Sequence, residues 1–240
     1  MVDKDDYQHH ISKAFNKDLD TLRGHLMEMG GLVEQQVADA MDALVNRDSE
    51  LAEGVFSNEE QVNSLELTID EECSRILVLR QPAASDLRMI IAISKAVSDL
   101  ERIGDESEKI ARFAVEFSEQ GEAPSGYVEA RHISNLVRRM LHDALDSFAR
   151  FDADKAVAVA AQDKEVDVEY RSAMRSLITF MMEDPRSISL ILNVIWTLRA
   201  LERIGDHARN ICEQVIYLVQ GTDVRHISVD EMEAAVKKGR

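Results

Sequence analysis

The sequence predicts an all-α fold of two tandem three-helix bundles, six long helices in all, related by a pseudo-twofold internal duplication. Leu100-Glu101-Arg102-Ile103-Gly104-Asp105 returns unchanged as Leu201-Glu202-Arg203-Ile204-Gly205-Asp206. Both copies lie deep inside long stretches of helical periodicity, so duplication explains the match better than chance. Only 3 Pro and 10 Gly punctuate 240 residues, and the chain is 45% hydrophobic, 30% charged and 5% aromatic. That composition describes a helical globular protein rather than a disordered or all-β one.

The first set of helices is expected at 8–47, 50–80 and 85–119, with Pro82 and Ser85 punctuating the last junction. The second set is expected at 126–150, 153–183 and 185–220, after a linker running from Gly121 to Gly126. Asp184 before Pro185 is a helix start, with Asp as N-cap and Pro in the first turn. Asp48 and Asp152 fall at equivalent first-to-second helix turns, and Val62 and Val166 match in the second helices. Residues 8–120 and 126–220 thus form the two expected bundles, and 221–240 a C-terminal tail, read as a mobile appendage without a role. A third helix of roughly 35 residues is about 50 Å long, so the molecule should be elongated.

At 100° per residue, Ile93, Val97, Gly104, Ser107 and Ala111 cluster with Leu100 as a core stripe, leaving Glu101 and Asp105 on its flank. Trp196 and the ten Met residues read as core filler. Cys73 and Cys212 have no CxxC partner, so buried reduced thiols are expected rather than a zinc ribbon or a disulfide framework.

Charge narrows the partners. With 45 acidic and 28 basic side chains the formal charge is −17, which opposes non-specific binding to nucleic acid or an anionic membrane. Basic surfaces or metal cations are favoured. The N-terminal residues lack the pattern of a secretory signal, and no apolar run approaches the roughly 20 residues needed to span a bilayer. A cytoplasmic protein is expected, peripheral to a membrane through partners only.

A like-charge pair at i, i+4 costs roughly 0.2–0.5 kcal/mol and an interior helical Gly roughly 0.5–1 kcal/mol. Both halves accept both penalties, and a cation shared by the carboxylates would offset them. Glu101, Asp105, Glu202 and Asp206 are therefore the candidate metal ligands. Glu66, Asp70, Glu108, Asp163, Asp167 and Glu213 are weaker additions, and Arg209 stands where Glu108 did. Oxygen-only donors suit Mg, Mn or Fe more than Zn. The bland alternative is that each Gly admits a neighbouring helix and the acids are a solvated flank.

An interior di-iron site needs Glu-x-x-His on two helices, and the one match weighed is Glu129 with His132. His207 points about 100° away from Asp206 and is expected to be a surface or core histidine. No phosphate-binding Gly loop and no nucleophile spacing occurs, so no catalytic residue is assigned and no enzyme activity is expected.

Asp99-Leu-Glu-Arg-Ile-Gly-Asp105 and Ala200-Leu-Glu-Arg-Ile-Gly-Asp206, with Gln81-Pro-Ala-Ala-Ser-Asp-Leu-Arg88 upstream, closely resemble the PhoU family over about residues 8–220. The resemblance implies metal ions at E(D)xxxD motifs, here Glu101 with Asp105 and Glu202 with Asp206. It also implies a non-enzymatic negative regulator of the phosphate-starvation regulon. Such a protein would be an adaptor, usually a homodimer, linking the ATPase subunit of a phosphate ABC transporter to a sensor histidine kinase. Asp99 becomes Ala200, so the halves need not bind the same number of ions. A carboxylate-metal enzyme or metal store is the alternative reading, and a scaffold without metal is the third.

Overall fold

The computed structural model describes residues 4–120 and 127–238, with side chains from 13–118 and 128–238. The expected linker at 121–126 lies outside the described residues. Among the described residues eight α-helices run in order: α1 (Lys4–Asn46), α2 (Ser49–Arg80), α3 (Ala84–Gln120), α4 (Tyr127–Arg150), α5 (Ala153–Ala160), α6 (Asp163–Glu183), α7 (Ile188–Gln220) and α8 (Val229–Lys238). A short 3-10 turn, Pro185–Ser187, leads into α7. No strand occurs among the described residues.

The turns repeat in chemical detail. Asp48 and Asp152 each accept a backbone N–H three residues on, from Leu51 at 3.0 Å and Lys155 at 2.9 Å. Satisfying an orphan donor in this way starts α2 and α5. The preceding residues, Arg47 and Phe151, both adopt a left-handed φ of 56°. Asp184 caps the 3-10 turn by accepting from the Arg186 N–H at 3.1 Å.

Helices α1, α2 and α3 pack into one bundle, and α4, α7 and the α5–α6 pair into the other. Antiparallel α3 and α7 join them. Asn210 donates to Asp99 at 2.9 Å, Arg203 meets Glu106 at 2.9 Å, and Asn193 donates to Glu116 at 3.3 Å. These contacts set Gly104 and Gly205 at the same level of the pair, so the pseudo-twofold axis passes between the two hexapeptides. The predicted stripe is core, since Ile93, Val97, Leu100, Ser107 and Ala111 are all fully buried. Cys73 and Cys212 are free and buried, and burial pushes the Cys73 thiol up to about 12.

Three expectations need correction. The helix expected at 153–183 is broken, because Gln162 N–H turns back to the Val159 carbonyl at 2.9 Å and α6 restarts at Asp163. The tail is no loose appendage: Val224, Met232 and Val236 are buried, and α8 packs on α5 and α7. That cover explains why α5, Ala-Asp-Lys-Ala-Val-Ala-Val-Ala, buries five of its eight residues. Finally, Trp196 is 58% exposed and Met182 79% exposed, so neither fills a core. No helix among the described residues is long and apolar enough to cross a membrane.

Candidate metal centre

On α3 the hexapeptide faces α2. Glu101 and Asp105 are both half-buried, and Arg102 bridges them at 3.3 Å and 3.4 Å from the exposed side. Burial raises the Glu101 carboxyl above its usual range, and the charge on Asp105 raises it further. Glu66 on α2 is raised by burial and then by Glu101 and Asp70, which places it in the same cluster. Asp70 lies at the outer edge, accepting from the Ser94 hydroxyl at 3.3 Å. Glu108 turns to Arg112 at 2.7 Å.

Two residues of this face escaped the sequence reading. Glu59 on α2 is 5% exposed and lies directly against α3. Its carboxyl is raised by burial and by Asp105, Glu108 and Glu101, while a 2.9 Å hydrogen bond from the Gln36 amide lowers it. No cation contacts it among the described residues. Glu59 Oε1 and Gln36 Oε1 are both buried without a partner. A Cβ at residue 104 would come within 2.5 Å of Glu59 Oε2, so Gly104 makes room for a buried carboxylate. The signals were in the sequence. Glu59 sits in phase with buried Val55 and Val62, and Gln36 between buried Val33 and Val37.

The second face has the same plan with different charges. Glu202 is held by Arg199 at 2.7 Å. Burial raises its carboxyl first, followed by repulsion from Asp206. Asp206 reaches solvent at its tip yet is also raised, by desolvation and then by Asp163 and Asp167. Asp163 and Glu59 occupy equivalent positions, each three residues before its matched valine, Val166 or Val62. Asp163 is likewise buried, but Arg209 donates to it at 3.0 Å. A Cβ at Gly205 would find Val137 at 3.4 Å and Asp163 only at 3.9 Å, ordinary contacts. Asp167, on the outer side, pairs with Arg171 at 3.8 Å.

Glu213, His207 and the Glu129–His132 pair fall elsewhere. Glu213 is turned into a cleft between α3 and α7, where burial pushes its carboxyl up to about 7 against the opposing pull of Arg209. His207 Nδ1 pairs with Asp99 at 2.9 Å across the same cleft, as expected of a structural histidine. Glu129 is half-buried and His132 exposed on α4, and His132 lines an outer cleft rather than a bundle interior.

Among the described residues no three His, Cys, Asp or Glu side chains already converge as a coordination shell. The first face nevertheless fits an ion chemically. It presents oxygen donors alone, carries mutual repulsion between its acids, and holds two buried oxygens without partners. Loading it requires Glu101 and Asp105 to turn from Arg102, an exposed side chain that gives up little on release. The second face fits less well, because Arg209 already supplies the positive charge beside Asp163.

This geometry defines a class: duplicated three-helix-bundle proteins that lay an acidic Glu-x-x-x-Asp face on each of two antiparallel helices beside the repeat axis. The chain belongs to the PhoU family, whose PhoU domain matches residues 26–114 and 130–215. It is 60% identical over 240 residues to a phosphate-specific transport system accessory protein PhoU homolog of Pseudomonas aeruginosa, covering 100% of this chain and 99% of that one. It is 47% identical over 224 residues to the PhoU accessory protein of Escherichia coli, covering 93% and 92% of the two chains. A crystal structure of PhoU from Pseudomonas aeruginosa superposes with a TM-score of 0.85 at 62% identity, over 87% of this chain and all of that one. The phosphate transport system regulatory protein PhoU from Streptococcus pneumoniae superposes at 0.80 with 32% identity, over 88% and 99%.

Proposed function

We propose that this chain is a cytoplasmic, non-enzymatic adaptor that holds the phosphate-starvation regulon off when phosphate is plentiful. It would act as a homodimer between the ATPase subunit of a phosphate transporter and a sensor histidine kinase. The observation that carries the reading is similarity along the whole chain to proteins named as accessory to phosphate-specific transport. The acidic faces supply its chemistry. Glu101 and Asp105, with Glu59 and Glu66 behind them, would hold one divalent or trivalent cation; Glu202 and Asp206, with Asp163, would hold another more weakly. A bound ion would neutralise the repulsion within each face and fasten the second helix of a bundle to its third. The outward shape offered to a partner would then be fixed.

A reporter driven by a phosphate-responsive promoter in a deletion strain tests the regulatory role: expression at high phosphate should rise on deletion and return to repression with the wild-type chain. Repression that survives the deletion removes the reading. Elemental analysis tests the metal assignment separately, comparing wild type with a variant in which Glu101 and Glu202 become Gln and Asp105 and Asp206 become Asn. Equal metal content in the two preparations would end it.

A further inference from the structure

We propose that the outer face of α4 docks an acidic segment of a protein partner, a role distinct from that of the carboxylate faces. On a chain of formal charge −17, Arg131, His132, Asn135, Arg138, Arg139 and His142 are all exposed on this one helix. At 100° per residue they share a stripe roughly 120° wide; the one acid of α4 at that angle, Asp146, lies a turn beyond His142 and is already held by Arg150 at 2.6 Å and Lys155 at 2.8 Å. Among the described residues Arg131, Arg138 and Arg139 make no ion pair. Arg80, Arg102, Arg199 and Arg209 each hold a carboxylate at 3.4 Å or less. Three unspent guanidinium groups on one face of an acidic protein are therefore a local reversal of its charge.

The form of the face selects the partner. An open cleft of about 890 Å³ runs beside the stripe, lined by Glu34, His132, Asn135, Arg138, Arg139 and His142 among others. A smaller one of about 260 Å³ on the other flank includes Asp42, Arg131 and Arg138. The three guanidinium groups are spread along about 12 Å of helix and all reach solvent, an arrangement suited to an extended partner rather than one small anion. Rim carboxylates interrupt the positive field: Glu34 meets His142 at 2.9 Å and Asp143 meets Lys155 at 2.8 Å. A uniform anionic sheet such as a membrane, or a nucleic-acid duplex, would meet those acids as well as the overall negative charge. A protein segment with carboxylates one or two helical turns apart can engage the guanidinium forks, two hydrogen bonds to each, and miss the rims. Exposed Val128, at 81%, continues the stripe and offers an apolar contact at its end.

The experiment uses the full chain and, as probe, a fluorescein-labelled 20-residue helical peptide with Glu at i, i+4 and i+7 spacing, read by anisotropy at two salt concentrations. R131E/R138E/R139E is compared with K164E/R175E/K238E, which makes the same change in net charge at other exposed positions. Circular dichroism establishes that both variants keep wild-type helicity. The α4 variant should bind the peptide about tenfold more weakly, and the control no more than about threefold more weakly. Equal losses in the two variants would overturn the proposal by reducing the effect to net charge. Binding to phosphatidylglycerol vesicles or duplex DNA that is tighter than to the peptide, and lost in the α4 variant, would overturn the choice of partner. The inference holds or fails whether or not the carboxylate faces carry metal.

Discussion

Four residues beyond Gly104, Glu108 turns to Arg112 at 2.7 Å; four residues beyond Gly205, the corresponding pair is Arg209 with Glu213, at 3.5 Å. Duplication has kept an i, i+4 ion pair at this place and reversed its polarity. In the first bundle the acid stands beside buried Glu59, which is left without a cation. In the second the arginine stands there and binds buried Asp163, while the displaced acid, Glu213, is driven to 7% exposure in the α3–α7 cleft. One reversal thus converts an acidic pocket into a neutralised one. The bundles share a fold and a hexapeptide, yet the buried acid has a cationic partner only in the second.

Reversing the second pair breaks the contrast most directly. In R209E/E213R, Asp163 loses its partner and gains a like charge, so metal-free protein should be destabilised by roughly 3–5 kcal/mol, the usual cost of breaking a buried pair. Added Mn²⁺ should recover part of that loss, and elemental analysis should find more metal per chain than in wild type. Unchanged metal content in a folded double variant would show that the polarity of this pair does not control occupancy.

Glu213 carries the next largest effect. Its folded-state value is about 7 against 4.5 in the unfolded chain, a raised acid. Protonated Glu213 is favoured in the fold, so its contribution is fully present below pH 4.5 and is lost as pH rises to about 7. The span corresponds to about 3 kcal/mol. Urea denaturation across that range should show stability falling with pH, and E213Q should flatten much of the fall. Part of the slope remains, because Glu59, Glu66, Glu101, Glu202 and Asp206 are shifted the same way.

Smaller and opposite in sign are the two buried acids themselves. D163N leaves Arg209 with Glu213 alone and should cost about 2 kcal/mol in metal-free protein. E59Q removes an uncompensated buried charge from among like charges and should gain about 1 kcal/mol. Thermal melts in chelator read both. Destabilisation of similar size in the two would mean that the faces are electrostatically alike after all.

The repeated Glu and Asp, the turn residues Asp48 and Asp152, and the core stripe around Leu100 were legible because each expresses a local rule of capping or periodicity. Glu59 and Gln36 were not picked out, since a polar residue in an apolar phase gains meaning only once its neighbour across the bundle is known. The break after α5 was hidden for a related reason. Buried on several sides by α4, α7 and α8, the alanine and valine run shows no polar face to mark its end. The tail did carry a local signal: Ser228 and Glu231 form a capping box, with Ser228 N–H donating to Glu231 at 2.8 Å and Glu231 N–H to Ser228 at 3.3 Å. Trp196 was misplaced because residue type was allowed to stand for position, and α7 turns that side chain outward.

The two glycines give the smallest effects and the sharpest separation. Replacing an interior helical Gly with Ala is worth roughly 0.5–1 kcal/mol wherever the new methyl fits. At Gly205 it meets Val137 at 3.4 Å, ordinary contact, so G205A should be stabilising by that amount in urea titrations. At Gly104 the methyl would come within 2.5 Å of Glu59 Oε2, and that carboxylate is buried and tied to Gln36. The helical gain is then opposed by displacing a charged group that has nowhere solvated to go, and G104A should be neutral or destabilising. Cutting the side chain back distinguishes this cause from backbone strain: G104A introduced into an E59A background should recover the same gain as G205A. If it does not, Gly104 serves the approach of the helices themselves, and the difference between the two faces lies in their charges alone.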